Sequence, residues 1–170
     1  LAEACARGWE GVIVERADGM YVAGRSGDWL KMKCSASQEL VIGGFTEPAG
    51  SRTGLGALLV GYFDGGRLRY AGKVGTGFDF ALLQSLHAQF LRRRRSDCPF
   101  ANLPMPRRPR FGQGMTRSEM KTVTWVRPDL VAQVRFGEWT GDGLLRQPVF
   151  LGLRKDKAAA EVRREATSAG

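Results

Sequence analysis

Residues 57–94, ALLVGYFDGGRLRYAGKVGTGFDFALLQSLHAQFLRRR, contain the pattern that decides the fold. Ala57–Phe63 and Arg67–Val74 are predicted to be strands, because both are rich in apolar residues and are separated by a glycine turn typical of hairpins. From Phe78 to about Arg94 the spacing changes, and apolar side chains recur at helical intervals. The segment therefore predicts two paired strands followed by one amphipathic helix.

Further candidate strands lie on both sides of this segment, at Glu39–Thr46, Thr122–Val126, Val131–Trp139 and Val149–Leu153. We expect Ser96–Ser118 to be a long basic loop and Asp156–Glu165 to be a charged terminal helix. Three strands, one helix and then two or more strands suit an OB-fold, a five-stranded Greek-key barrel. The sequence therefore predicts a mainly β, OB-fold barrel with one inserted helix. A β-sandwich is the alternative, but it does not explain the central helix.

The first 34 residues have a different pattern. Residues 1–8 are predicted to be a helix that ends at Gly8, residues 11–23 a hairpin, and residues 29–34 a strand. Because the composition changes near Ser35–Gln38, we expect 1–34 to be a β-rich piece of a different unit and 35–170 to be the OB-fold domain. The start at Leu1, without methionine, suggests a chain cut from a longer protein.

The net charge of +9, from 26 basic against 17 acidic residues, favours a polyanionic partner. Nucleic acid is the first candidate, and an anionic membrane surface is the second. No apolar run approaches ~18 residues, so no membrane-spanning helix is predicted. Cys5, Cys34 and Cys98 form no Cys-x-x-Cys pair, which argues against a structural zinc site. Unpaired cysteines fit a reducing cytosol.

Two positions near the start of the chain could contact a nucleotide. Lys31 and Lys33 lie two residues apart in a predicted strand, so they share a face, where a phosphate would relieve their repulsion. A solvent-facing edge strand, which lysines protect from aggregation, explains the pair equally well. Glu10 precedes a glycine at the start of an apolar strand and could hold a ribose hydroxyl or Mg²⁺, or be a solvated acid.

Two basic segments further along could bind phosphates. Arg146, Arg154 and Lys157 bracket a short strand, and Asp156 could orient one of these cations or lie near a helix N-cap. A second set of arginines, which we call the basic belt, comprises Arg92, Arg93, Arg94, Arg95, Arg107, Arg108 and Arg110. This belt could grip a phosphate backbone without reading base sequence, or it could be a disordered basic loop.

Three segments in order resemble motifs of the ATP-dependent DNA ligases, most closely the bacterial ligase D type that serves non-homologous end joining. Glu10-Gly11-Val12-Ile13 resembles the fourth nucleotidyltransferase motif, and Trp29-Leu30-Lys31-Met32-Lys33 resembles the fifth. Residues 146–157, RQPVFLGLRKDK, resemble the sixth motif, at the C-terminal end of the OB domain. Residues 131–140, VAQVRFGEWT, are also typical of the family. The similarity extends from Gly8 to about Glu165.

The resemblance implies a role for each candidate. Residues 1–34 would be the end of the nucleotidyltransferase, or adenylation, domain, with Glu10 near the ribose or the metal and Lys31 and Lys33 on the adenylate phosphate. The sixth motif would orient the ATP pyrophosphate through Arg146, Arg154, Asp156 and Lys157. The resemblance makes Lys31, Lys33, Arg154 and Lys157 the catalytic candidates, and the basic belt would wrap nicked or broken duplex DNA.

The implied cofactors are ATP and Mg²⁺ or Mn²⁺. The implied partners are DNA, the missing N-terminal part of the adenylation domain, the end-binding protein Ku and the polymerase domain of the repair system, in the bacterial cytoplasm at the nucleoid. The family's nucleophile is the lysine of a Lys-x-Asp-Gly segment, which this sequence lacks. We therefore expect the chain by itself to be unable to form the lysyl-adenylate.

Two alternatives fit part of the sequence. An mRNA-capping guanylyltransferase shares the superfamily motifs, although the ligase-like residues 122–157 argue against it. A plain OB-fold module that binds single strands would need aromatic stacking platforms, which Tyr62, Phe63, Tyr70 and Trp125 could supply. That second alternative leaves the lysine pair and the terminal basic motif unexplained.

Overall fold

The computed structural model describes residues 1–7, 9, 11–16, 29–48, 54–106 and 113–165. These residues form two compact units, the first within Leu1–Ala36 and the second within Ser37–Glu165. The assignment of residues 1–34 to an adenylation domain and of residues 35–170 to a separate OB-fold domain stays a prediction.

The described residues of the first unit form one short helix and one pair of strands. Helix α1 spans Ala2–Ala6, strand β1 spans Gly11–Glu15 and strand β2 spans Trp29–Lys33. The strands are antiparallel and in register along their whole length, from Gly11 opposite Lys33 to Glu15 opposite Trp29. The strand expected within residues 20–22 lies outside the described residues.

Cys5 and Cys34 form a disulfide in this unit, with their Cα atoms 5.3 Å apart. Because the end of β2 pairs with the start of β1, residue 34 returns close to helix α1, which precedes β1 in the chain. The expectation that all three cysteines are unpaired is therefore wrong, and Cys98 is the free thiol. Sequence spacing could not reveal the pair, because its members are 29 residues apart.

The described part of the second unit is built on five main strands. They are β3, Ala36–Thr46; β4, Leu58–Asp64; β5, Arg67–Val74; β7, Val123–Phe136; and β10, Val149–Arg154. Their order in the sheet is β10–β7–β3–β4–β5. The short strand β6, Arg94–Arg95, pairs with β7, while β8, Glu138–Trp139, and β9, Leu145–Arg146, form a separate hairpin.

The first and last strands of this order, β10 and β5, meet at Thr76, which lies just after β5. The backbone N–H of Phe150, in β10, donates to the Thr76 carbonyl oxygen at 2.9 Å, and the Thr76 hydroxyl donates to the Pro148 carbonyl at 3.3 Å. At Gly77 (φ +95°) an added Cβ would lie 2.1 Å from the Phe150 carbonyl oxygen. The sheet therefore closes into a barrel here, and a glycine is required at the point of closest approach.

Helix α2, Phe80–Leu91, lies between β5 and β7 in the chain, where the apolar spacing predicts a helix. It begins at Asp79, whose carboxylate accepts a hydrogen bond from the Leu82 N–H at 2.8 Å. Its buried face includes Phe90, whose ring stacks on Phe45 of β3 with centroids 5.7 Å apart. A five-stranded barrel with one helix after the third strand confirms the mainly β, OB-fold prediction.

Two strands predicted separately form the single strand β7. Pro128, which cannot donate to a sheet, lies beyond the residues that pair with β6 and before Val131, where pairing with β10 begins. The neighbouring Arg127 N–H donates to the Arg93 carbonyl at 2.8 Å. The proline therefore falls in a gap between two ladders and does not end the strand.

The helix predicted over Asp156–Glu165 is wrong. The structure has only a short 3-10 helix here, Ala159–Glu161, followed by an extended segment. Val162 is 2% exposed, and its carbonyl accepts a hydrogen bond from the Phe63 N–H of β4 at 2.9 Å. Contacts with the barrel core thus override the local helix preference of this segment.

The predicted loop over Ser96–Ser118 also differs at its end, where helix α3, Arg117–Met120, begins. Thr116 and Glu119 cap this helix reciprocally, since each side chain bonds the other residue's backbone N–H. Within the described part of the chain, no helix has both the length and the apolar character needed to cross a membrane.

Candidate functional site

Arg154, at the end of β10, and Asp156 form a two-pronged ion pair. The Arg154 Nε donates to Asp156 Oδ1 at 2.9 Å, and its Nη2 donates to Oδ2 at 2.7 Å. Paired N–H···O bonds of this kind are the strong form of an arginine–carboxylate contact. Two of the predicted site residues are therefore in direct contact, and each fixes the direction of the other.

The same guanidinium reaches two other strands of the barrel. Its Nη1 donates to Gln133 Oε1 of β7 at 3.1 Å and lies 3.0 Å from Glu39 Oε1 of β3. Sequence reasoning missed Glu39 and Gln133 as partners of Arg154. Gln133 lies in the family-typical segment 131–140, but both residues are remote from Arg154 along the chain. Only the order β10–β7–β3 brings them to Arg154.

The ionic contacts shift the pKa values of this cluster. The hydrogen bonds from Arg154, with smaller help from the charge of Lys157, lower the pKa of Asp156 to about 2. The hydrogen bond to Asp156 and the charges of Asp156 and Glu39 raise the pKa of Arg154 further above its ordinary value. Arg154 and Asp156 therefore both stay ionised at any physiological pH, with a third charged group, Lys157, close by.

Arg146 lies on the β8–β9 hairpin, directly opposite Glu138. Its Nη1 is 2.6 Å from Glu138 Oε1, and both side chains are exposed at the surface. This cross-strand pair positions Arg146 relative to the hairpin. Its predicted role at a pyrophosphate stays a prediction.

The four consecutive arginines of the basic belt separate into two kinds. Arg92 and Arg94 are exposed, the first at the C-terminal end of α2 and the second in β6. Arg93 and Arg95 are half-buried. Arg93 pairs with Asp129 at 3.1 Å and donates to the Gln89 carbonyl; Arg95 pairs with Asp97. Two of the four cations thus face solvent, and two have partners within the protein.

The structure adds Arg127 to this surface. It is exposed on β7, one residue beyond the pairing of β6 with β7, and lies 3.5 Å from Asp129. Asp129 therefore contacts both Arg93 and Arg127. The sequence could have indicated Arg127 as an outward-facing residue of a strand. The prediction placed it between two separate strands, so this position was not recognised.

Several predicted site residues cannot be placed. The backbones of Lys31 and Lys33 lie in β2, opposite Ile13 and Gly11, but their side chains are outside the described part of the structure. Glu10 lies outside it as well, as do the belt residues Arg107, Arg108 and Arg110. Their roles stay predictions. Among the described residues, no group of three or more His, Cys, Asp or Glu side chains could hold a metal ion.

The aromatic residues suggested as stacking platforms lie elsewhere. Tyr70 is 1% exposed and Trp125 is 8% exposed, so both belong to the core. Phe63 packs against the same core, and Tyr62 packs edge-on against Trp139 with ring centroids 5.7 Å apart. Burial therefore excludes Tyr70 and Trp125 as a base-stacking surface, whereas Tyr62 and Phe63 are half-buried against the core.

The structure combines an OB-fold barrel, a carboxylate-bound arginine at the end of its last strand, and exposed arginines at and just beyond the C-terminal end of α2, which defines it as a basic OB-fold protein. The chain belongs to the ATP-dependent DNA ligases: residues 51–157 match the family described as ATP-dependent DNA ligase C-terminal region. That match includes α2, the whole basic belt and the whole Arg146–Lys157 motif.

Curated relatives agree with this family. The chain is 44% identical over 165 residues to the multifunctional non-homologous end joining protein LigD of Pseudomonas aeruginosa, covering 95% of this chain and 18% of that protein. It is 42% identical over 168 residues to the LigD repair protein of Mycobacterium tuberculosis, covering 96% and 21%. The chain thus spans about a fifth of the length of these relatives.

Solved structures show the same architecture. The ligase domain of M. tuberculosis LigD matches with a TM-score of 0.67 and 42% identity, over 95% of this chain and 50% of that chain. A mycobacterial DNA ligase D complexed with ATP and MES matches with a TM-score of 0.63 and 39% identity, over 96% and 50%.

Proposed function

We propose that this chain is the C-terminal segment of an ATP-dependent DNA ligase that seals breaks in DNA during non-homologous end joining. The family match and the identity to LigD proteins over nearly the whole chain support this function. The single observation that carries it is the Arg154–Asp156 pair, which lies within the segment that resembles the sixth ligase motif.

In this proposal the Arg146–Lys157 motif serves the first phosphoryl transfer. A lysine of the intact protein attacks the α-phosphorus of ATP, its new N–P bond replaces the bond to the bridging oxygen, and pyrophosphate leaves. Arg154 and Lys157 neutralise the charge of the leaving group, with Mg²⁺ or Mn²⁺, while Asp156 orients Arg154. Lys31 and Lys33 contact the adenylate phosphate, and Glu10 the ribose or metal.

The barrel and the basic belt provide the DNA-binding surface. Arg92 and Arg94 are exposed, and Arg127 extends the same surface from β7. Arginines of this kind contact phosphates and carry no base specificity, so binding to nicked or broken duplex DNA would weaken steeply with salt. Ku, the polymerase domain and a cytoplasmic location at the nucleoid belong to the same proposal.

A gel-shift assay with nicked duplex DNA tests the DNA-binding part. We expect the 170-residue chain to bind at about 50 mM salt, and Arg92→Ala/Arg94→Ala to lower the slope of log affinity against log salt by about 2. Arg67→Ala/Arg117→Ala removes the same charge from exposed positions elsewhere and should change the slope less. The absence of binding at low salt, or equal effects of the two variants, would contradict the proposal.

Labelling with ATP radioactive at the α-phosphate tests the catalytic part. The full-length protein that contains this chain should acquire a covalent adenylate, and the chain by itself should not, because it has no Lys-x-Asp-Gly segment. An adduct on the isolated chain would overturn the assignment of roles. An unlabelled full-length protein would overturn the proposed ligase function.

A further inference from the structure

The Arg154 side chain extends over the barrel surface from its own strand, β10, to residues of two neighbouring strands. β10, β7 and β3 are neighbours in that order, and Gln133 and Glu39 occupy the second and third of these strands. Adjacent strands are about 4.8 Å apart, so the backbones of Arg154 and Glu39 are roughly 10 Å apart, a distance that the arginine and glutamate side chains span together. Arg154 is therefore held by Asp156 close to its own strand and by Gln133 and Glu39 on the two neighbouring strands.

The partners of Arg154 differ in how firmly they are attached. Asp156 lies in the bend after β10, whereas Gln133 and Glu39 are within long strands of the barrel. The side chain of Glu39 is 20% exposed, against 69% for Asp156. The Glu39 carboxylate is thus the more rigid and less hydrated of the two, and it ties the guanidinium to the barrel frame.

The donor inventory shows what remains for a ligand. Arginine has five N–H groups. Here Nε and one N–H of Nη2 bond Asp156, and one N–H of Nη1 bonds Gln133. The second N–H of Nη2 is left, whereas Nη1 is shared between Gln133 and the Glu39 carboxylate, 3.0 Å away. A phosphate can therefore accept a charge-assisted hydrogen bond from Nη2, and the direction of that N–H depends on the orientation of the guanidinium.

We propose that Glu39 is a positioning residue that, together with Gln133, fixes the orientation of Arg154 for the pyrophosphate leaving group. The inference rests on the proposed ligase function, because it concerns the same site. Glu39 touches neither ATP nor DNA in this scheme. Without Glu39 the guanidinium keeps its link to the exposed Asp156 and to Gln133 but loses its ionic contact with β3, so it samples other orientations.

The test compares three variants of the full-length protein: Glu39→Ala, Glu39→Gln and Asp64→Ala. Asp64 pairs with Arg69 at 3.8 Å on the barrel surface and serves as a matched control. We expect Glu39→Ala to slow self-adenylation about tenfold, since a misplaced positioning group commonly costs this much or more. Glu39→Gln keeps an acceptor oxygen and should recover part of the rate, and the control should match the wild type.

Two further measurements separate positioning from a structural role. Sealing of a nick that is already adenylated does not involve pyrophosphate, so Glu39→Ala should leave that step unchanged. In the 170-residue chain, NMR relaxation of the Arg154 Nε–Hε group should report greater motion in Glu39→Ala than in the wild type or in the control.

Wild-type rates of adenylation by Glu39→Ala, or an equal loss in both steps, would overturn the inference. So would unchanged motion of Arg154 in the NMR experiment. A wild-type protein that never becomes adenylated would instead refute the proposed ligase function, and the NMR result would still decide whether Glu39 holds Arg154.

Discussion

The two units of this chain bury apolar side chains to very different extents. In the second unit, Leu59 of β4 and Phe90 of α2 are completely buried. In the first, Ile13 of β1 is 60% exposed and Leu30 of β2 is 61% exposed. A two-stranded hairpin is too small to cover its own apolar side chains, whereas a closed five-stranded barrel encloses a core. Among the described residues, therefore, the second unit alone has the buried core of a self-sufficient domain.

The largest expected loss of stability comes from a substitution in the core of the second unit. Phe90→Ala removes a ring that is stacked on Phe45 and fully buried, so it should lower the free energy of unfolding of the barrel by about 3–5 kcal/mol. Urea unfolding followed by the fluorescence of the buried Trp125 measures the change.

The matched change in the first unit is Ile13→Ala. Because this side chain is exposed, the effect on unfolding should stay within about 0.5 kcal/mol. Similar losses from Phe90→Ala and Ile13→Ala would show that the contrast between the two units is wrong.

The next effect concerns the covalent link in the first unit. Reducing the Cys5–Cys34 disulfide frees a segment of about 29 residues and should destabilise this unit by about 3 kcal/mol. Amide exchange of β1 should then accelerate, while that of the buried strand β4 should not change. Unaltered exchange in β1, or a parallel loss of protection in β4, would contradict this expectation.

Two glycines of the barrel differ in how much space surrounds them. Gly77→Ala forces a Cβ against the Phe150 carbonyl at the closure and should cost roughly 3 kcal/mol. Gly65→Ala also has a positive φ but meets no atom within 4 Å, so it should cost only about 1 kcal/mol. Thermal unfolding of the two variants measures the difference, and equal costs would argue that no tight closure exists.

The smallest expected effect is a pH dependence at the barrel surface. The pKa of Asp156 is lowered to about 2, so its pairing with Arg154 stabilises the folded protein above the ordinary aspartate pKa near 4 and is lost as the pH falls through about 2. Carbon NMR titration of Asp156 should give a midpoint near 2. Arg154→Ala should raise this midpoint, and a wild-type midpoint near 4 would refute the ion pair in solution.

The success of the fold prediction came from short-range patterns. Arg67–Val74 is a strand over its predicted range, and α2 lies within its predicted segment, because alternation, helical spacing and a glycine turn act over a few residues. The failures lie where distant residues decide. Val162, buried against β4, prevents the expected terminal helix, and the pairing of β1 with β2 brings Cys5 to Cys34.

The candidate site follows the same rule. The motif from Arg146 to Lys157 could be recognised from its residues alone, and the contact of Arg154 with Asp156 spans only two positions. The contacts of Glu39 and Gln133 with Arg154 could not be found in this way, because only the neighbouring strands β7 and β3 bring these residues to the guanidinium.

By itself, the sequence determined the strand and helix pattern of the barrel, the excess of positive charge and the family motifs, since all of these are properties of neighbouring residues or of composition. The tertiary structure alone decided which arginines face solvent, which rings belong to the core and which carboxylates hold Arg154. These depend on strand order and burial, and both arise from contacts between residues far apart in the chain.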